Sequence, residues 1–189
     1  MSEKIKINLG SGERKYEGFI NIDAEASTKP DILCDITKTP LPFATDSATT
    51  IYFLHGIEHV SMFYWNQVFN ELRRVLIPGG ILLLAYPEFD ICVKNYLENK
   101  RGLRDFWRNT LYGRQLYPGD FHVTPVNSAE LLVILQQVGF SDIRYAPDDA
   151  ADYYTFMIAH KGVPFTREDV LRTELFRDMK RQDNSFKLL

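Results

Sequence analysis

Three small residues, Gly10-Ser11-Gly12, close a short apolar run from Lys4 to Leu9, and a carboxylate, Asp23, follows 13 residues after Gly10. A glycine turn lets a ligand approach the backbone closely, as phosphate-binding loops do. Two phosphate readings fail on spacing. A dinucleotide site needs a third glycine, where this chain has Lys15, and an acid about 20 residues on. A phosphate loop of the Gly-Lys-Ser/Thr type needs a sequence that does not follow here. Pyrophosphate also rests on a helix N-terminus, yet a second strand-like run, Gly18 to Asp23, begins before a helix has room. The ligand implied carries no phosphate, lies against the Gly10–Gly12 backbone and offers vicinal hydroxyls to Asp23.

Proton chemistry rests on four histidines: His55, His59, His122 and His160. His160, near Lys161 in the last strand-like run, reads as structural or solvated. Cys34 and Cys92 lie far apart, with no metal or redox spacing, and read as buried thiols of a reducing cytosol. The stretch 88–125 is the longest connection and the natural substrate lid. Its centre, KRGLRDFWRNTLYGR, sets Lys100, Arg101, Arg104, Arg108 and Arg114 against Asp105, with Phe106, Trp107 and Tyr112 interleaved. Guanidinium forks and aromatic faces suit an anionic or sugar-bearing acceptor. The competing account is an amphipathic helix with a solvated basic side and with Phe106 and Trp107 turned to the core.

The elements that must position these residues alternate regularly. Lys4–Leu9, Phe19–Ile22, Asp31–Cys34 and Thr50–Leu54 read as strands, each closed by a small or polar residue, where open parallel sheets bind ligands. Trp65, Val68, Leu72, Val75 and Leu76 recur at helical spacing, with Ser61 as a cap and Pro78-Gly79-Gly80 as the stop. Ile81–Tyr86 is a fifth strand, apolar throughout as if covered on both faces. A helix from Asn127 or Ser128 to Val138 ends at Gly139, and Phe140–Tyr145 and Tyr153–His160 form a closing strand pair around the turn PDDAAD. The order predicts an α/β fold: a Rossmann-like, seven-stranded, mostly parallel sheet with one antiparallel strand and shortened first helices.

S-adenosylmethionine meets the demands of the glycine turn. Its ribose diol can donate to Asp23, and its ammonium and carboxylate can use turn carbonyls and amides. The segments INLGSG, GFINID, DILCDI, LHGIEHV, ELRRVLIPGGILLLAYPEFD and GDFHVTPVNSAELLVILQQVGF, in that order over roughly residues 4–161, resemble a class I S-adenosylmethionine-dependent methyltransferase. More narrowly, they are similar to the small type-11-like predicted methyltransferases associated with sugar and cell-surface biosynthesis. The resemblance implies that Asn8, Leu9, Gly10, Ser11 and Gly12 wrap the methionine part and that Asp23, with Ala24 beside it, holds the ribose. It places Asp35 at the adenine amino group, Ile36 as the apolar wall, and Leu54, His55 and Gly56 beneath the sulfonium.

It also implies methyl transfer to a small-molecule or sugar-containing acceptor, O-methylation being one form. His122, in Gly119-Asp120-Phe121-His122 before the helix near Asn127, is read as the catalytic base, with His55 as rival and a loop-hinge role as the alternative. His55-x-x-Glu58-His59 is similar to the Glu-x-x-Glu-His with which some ubiquinone-pathway and small-RNA methyltransferases hold a divalent ion. Histidine at position 55 leaves fewer hard oxygen ligands for magnesium, so Glu58 and His59 are read as structural and no metal is expected.

The 189 residues fit a methyltransferase domain over 1–162 and a helical C-terminal extension over 163–189, a place for homo-oligomer contact. A net charge of −3 and the short basic patch disfavour nucleic acid. The charged start MSEKIK and the absence of a long apolar run point to a cytoplasmic protein without membrane contact. Two other classes stay open: a non-catalytic cofactor-binding subunit of a partner enzyme, and an oxidoreductase, which the Gly10–Asp23 spacing opposes.

Overall fold

The computed structural model describes residues 4–38, 40–117, 119–147 and 153–162. The expected extension over 163–189, with its oligomer contact, and most of the turn PDDAAD lie outside these residues. The apolar runs become β1 Ile5–Leu9, β2 Ile20–Asp23, β3 Ile32–Leu33, β4 Ala48–Leu54 and β5 Leu76–Pro87, followed later by β6 Ser141–Pro147 and β7 Tyr154–His160. Helix α1 Trp65–Val75 precedes β5, and α2 Phe89–Leu97, α3 Arg104–Tyr112 and α4 Ser128–Val138 lie between β5 and β6.

One sheet holds all seven strands in the order β3-β2-β1-β4-β5-β7-β6. The first five are parallel, and β7 runs antiparallel to both β5 and β6. β1 and β4 are neighbours although the chain visits two strands between them, so the strand order reverses there. Open α/β sheets bind ligands beyond the carboxyl ends of strands at such a point. Gly10, Asp23 and His55 all stand at those ends.

One face of the sheet is covered by α1 and α4. Trp65, Val68, Phe69, Leu72 and Val75 of α1 and Leu131 and Leu135 of α4 are buried against Ile7, Ile22, Ile51, Leu82 and Leu84. Each such aliphatic or aromatic side chain contributes about 1.5–3 kcal/mol on burial. The other face carries a smaller cluster of Tyr16, Tyr52, Leu83, Ala85, Phe156 and Ile158. There the loop after β1 stands in for a helix, with Phe19 4.4 Å and Tyr16 5.4 Å from Tyr52 between ring centroids. A 3-10 turn, Ala26–Thr28, is all that follows β2.

α4 ends as its residues require. The Asn127 side chain accepts from the Ala129 and Glu130 amides, and Gly139 closes the helix at φ 98°. α1 differs from expectation at both ends. Ser61 makes no capping bond; a 3-10 turn, Met62–Tyr64, leads in instead. Leu76 already has extended backbone, so the chain leaves the helix before Pro78-Gly79-Gly80. That tripeptide sits in the irregular start of β5, where the Gly79 amide donates to Lys161 and the Lys161 amide to Gly80. The third strand shrinks to two residues, with the Asp31 and Cys34 amides donating to the Asn21 and Asp23 carbonyls at its ends.

Candidate functional site

The glycine turn is bound to the end of β2. Gly10 and Gly12 both take positive φ, 62° and 50°, which a side chain rarely tolerates. The Ser11 amide donates to the Ile22 carbonyl at 2.9 Å, and the Gly12 amide to Asp23 Oδ2 at 2.6 Å. Asp23 Oδ1 accepts from the Glu25 amide at 2.8 Å, so this carboxylate ties both loops together one residue before Ala24. A Cβ on Gly12 would meet nothing within 4 Å, which leaves the turn open to a ligand. Lys15, at the missing third glycine, folds back over the turn, its Nζ donating to Ser11 Oγ and to the Gly12 carbonyl, each at 2.8 Å.

Asn8 and Leu9 turn inward, each 2% exposed. The Asn8 amide donates to the Arg14 carbonyl and to Asn21 Oδ1, a buried network that shapes the turn from beneath. Asp35 stands beyond β3 and accepts from the Thr37 amide and hydroxyl, at 2.9 and 2.7 Å. Burial raises its pKa, but the Thr37 and Lys38 bonds outweigh that and hold it below the ordinary value. Ile36 is buried in the main core.

At the end of β4, Leu54 packs with the smaller cluster and His55 takes φ 54°, its amide donating to the Ala85 carbonyl of β5 at 2.7 Å. The His55 ring lies 4.4 Å from that of Tyr154. Gly56 has a packing reason of its own: a Cβ there would stand 2.2 Å from the Phe53 ring.

A 3-10 turn, Ile57–His59, follows. Segment 121–124 is stitched to it across the sheet edge. The Val123 and Thr124 amides donate to the Glu58 carbonyl at 2.9 and 3.2 Å, and Thr124 Oγ1 donates to Val60. His122 thereby reaches Glu58 and His59. One potential ligand atom from each of the three lies within 4.8 Å of the others. The His59 and His122 rings meet edge to face at 4.8 Å. Burial lowers the His122 pKa, partly countered by Glu58. Burial raises that of the Glu58 carboxyl, but His55, His59 and His122 outweigh it and the net direction is downward. Glu58 Oε1 is 3.7 Å from His55 Nδ1, an ion-pair contact longer than a hydrogen bond.

The lid consists of α2, α3 and the returning loop. Trp107 is buried, its Nε1 donating to the Lys100 carbonyl at 3.0 Å, whereas Phe106 is 41% exposed. Both accounts of this stretch hold in part: Trp107 faces the core and Phe106 does not. Arg108 pairs with Asp105 at 3.0 Å, Arg104 lies over Tyr96, and Arg114 approaches Asp120 at 3.5 Å.

Residues 16–84 match the family described as a methyltransferase domain. Solved structures with the same fold include an S-adenosylmethionine-dependent methyltransferase from Archaeoglobus fulgidus (14% identity, TM-score 0.60, 85% of this chain and 87% of that one). Another from Methanosarcina mazei shares 16% identity at TM-score 0.60, over 86% and 95%. A third is phosphoethanolamine N-methyltransferase 2 of Haemonchus contortus, complexed with phosphomonomethylethanolamine and S-adenosylhomocysteine (13%, TM-score 0.58). The match covers 86% of this chain and only 50% of the Haemonchus protein. No curated protein sequence matches. The chain has the fold of these S-adenosylmethionine-dependent methyltransferases.

Within this fold, Tyr117 escaped the sequence reading, and the burial of Glu58 went unsignalled although the residue was singled out. Glu58, in the His55-x-x-Glu58-His59 pattern, is a buried carboxylate, 2% exposed. Tyr117 of the lid feels burial first, then the carboxylates of Asp120, Asp23 and Glu25, which together raise its pKa. The lid thus passes near the β2 end. No short-range pattern signals that approach. His160 proves buried, at 1% exposure, so the solvated alternative falls. No helix among the described residues is long and apolar enough to cross a membrane.

Proposed function

We propose that the chain binds S-adenosylmethionine and transfers its methyl group to a small-molecule or sugar-containing acceptor, with oxygen as the receiving atom. One observation carries this reading: the Gly10–Gly12 turn, open to free space at Gly12, lies at the strand-order reversal of a class I methyltransferase sheet, hydrogen-bonded to the Asp23 carboxylate. In this reading the backbone from Leu9 to Gly12 holds the methionine part, Asp23 and Ala24 the ribose, and Asp35 and Ile36 the adenine. Asp23 spends one lone pair per oxygen on Gly12 and Glu25, and a carboxylate has capacity for more. His55 and Gly56 lie toward the sulfonium. The bound cofactor supplies an electrophilic methyl group; the protein supplies alignment and the acceptor's deprotonation.

His122, kept neutral by burial, belongs to the Glu58–His59–His122 group that performs this deprotonation. The lid of α2 and α3 selects the acceptor, and its sugar-bearing or anionic character follows from Phe106, Tyr112 and the basic residues between them. Calorimetry with S-adenosylhomocysteine tests the cofactor site. Asp23→Asn keeps one hydrogen-bond acceptor for the loops and removes the charge, and should weaken binding by on the order of 2–4 kcal/mol. Equal affinity in wild type and variant, or tighter binding of NAD, overturns the assignment.

A further inference from the structure

Both faces of the sheet are apolar, but helices cover only one. The main core takes in the buried residues of α1 and α4. The second cluster is drawn from β4, β5 and β7 and from Tyr16 and Phe19 of the loop after β1; no helix among the described residues enters it. Its strand residues form two cross-strand rows, Tyr52–Leu83–Ile158 and Leu54–Ala85–Phe156. Leu83, Ala85, Phe156 and Ile158 are all buried. Tyr16 and Phe19 meet Tyr52 on β4. β7 lies two strands further on, about 10 Å at the usual strand spacing, so these rings leave Phe156 and Ile158 to another cover.

An apolar sheet face is buried by a second layer. Outside the described residues, segments 1–3, 39, 118 and 148–152 are too short to supply one. The extension over 163–189 is long enough, and it follows directly on β7. That strand ends at His160, paired with Ile81 and Ser141 at the foot of the sheet, away from the ligand rim. Gly162 then takes φ 86°, a backbone reversal that glycine permits. In the sequence beyond it, Leu171, Leu175 and Met179 recur at helical spacing, and Thr166 and Asp169 have the spacing of a capping box. A helix over 166–179 is about 21 Å long. Strands of seven residues, as β4 and β7 are, run about 23 Å.

We propose that residues 163–189 fold back across the second face of their own sheet and complete the layer that braces the glycine loop. The short tether after β7 holds the extension at an effective concentration of about millimolar, which favours its own face over that of a second copy. Tyr16 links this layer to the turn. Its amide donates to Asn21 Oδ1, which also accepts from the Asn8 side chain beneath Gly10–Gly12. Docking therefore stiffens the turn, and its effect on cofactor affinity rests on the methyltransferase reading.

The test uses the full chain with labelled methyl groups. Expected are nuclear Overhauser contacts from Leu171 or Leu175 to Leu83 or Ile158, and none in an isotope-filtered mixture of labelled and unlabelled chains. Contacts in the filtered mixture overturn the proposal in favour of a second copy, and contacts in neither sample overturn it outright. A Leu171→Asp/Leu175→Asp variant should bind anilinonaphthalene sulfonate, a reporter of exposed apolar surface, several-fold more than wild type. Arg177→Gln, on the opposite side of the same helical pattern, should not. Equal dye binding in wild type and the double variant overturns the docking. S-adenosylhomocysteine is titrated into both proteins and should bind the double variant at least about 5-fold more weakly. Equal affinity overturns the bracing of the loop. Methyl contacts in a wild type that binds no S-adenosylhomocysteine uphold the docking and remove the transferase reading.

Discussion

His160 shows how burial can lead among the influences on a charge state. The residue lies in β7 at 1% exposure, and desolvation lowers its pKa, against a raising influence from Asp142 and alongside a lowering one from Arg144. The unfolded value is about 6.5. Above that pH both states are neutral and the residue contributes no pH dependence. As pH falls below it, the unfolded chain takes up a proton that the folded chain resists, and stability is lost down to the folded pKa. At pH 5.5 this loss is at most about 1.4 kcal/mol. Urea midpoints at pH 7.5 and 5.5 should therefore fall further in wild type than in His160→Gln, and equal falls would refute the assignment. At this scale the sequence was legible where one residue sufficed. Asp23 and the glycines were recognisable from type and spacing, and they do meet through the Gly12 amide. Asn8 was named with them through the resemblance, but its inward turn was hidden, because it depends on Asn21 and Arg14, which only the folded loop brings near.

Elements were readable to the degree that their signals are local. Asn127 and Gly139 bracket α4 because capping acts within one turn, and α1 shows its buried stripe at helical spacing. The start of β5 was misjudged because Gly79 is used for a contact with Lys161, far along the chain. The meeting of Glu58 with His122 was likewise hidden, since it depends on amide bonds between the Ile57–His59 turn and residues 123 and 124. Gly113 is the hinge of that meeting. It ends α3 at φ 80° and ψ 164°, a region that is essentially glycine-only. A Cβ there would stand 2.0 Å from the Asp120 carbonyl oxygen and 3.0 Å from the His122 amide nitrogen. Gly113→Ala should cost at least about 1–3 kcal/mol in backbone strain and displace His122. Thermal unfolding checks the first effect. Methyl-transfer turnover checks the second, and an unchanged rate would separate Gly113 from the site.

On the scale of the whole molecule, the sheet order puts the glycine turn, Asp23 and the end of β4 along one rim, and the lid crosses that rim. The lid is anchored at its base: Trp107 is buried against Phe106 and Tyr153, at 5.0 and 5.4 Å between ring centroids. Its far end is lighter. Leu116 and Phe121 are exposed, and Tyr117 is half-buried near the carboxylates of Asp23, Asp120 and Glu25. Those charges, together with burial, keep the Tyr117 phenol protonated, a hydrogen-bond donor beside the proposed ribose site. A ligand that engages Asp23 therefore changes what Tyr117 faces, and closing the loop over it covers apolar surface that is now open. Hydrogen exchange with and without S-adenosylhomocysteine should show protection at residues 10–14 and 112–117, and none in α4, which packs with α1 in the main core. Tyr117→Phe should keep the protection at 10–14 and lose it at 112–117. Protection confined to 10–14 in the wild type would mean that the loop serves the acceptor alone, and the coupling between lid and cofactor would be withdrawn.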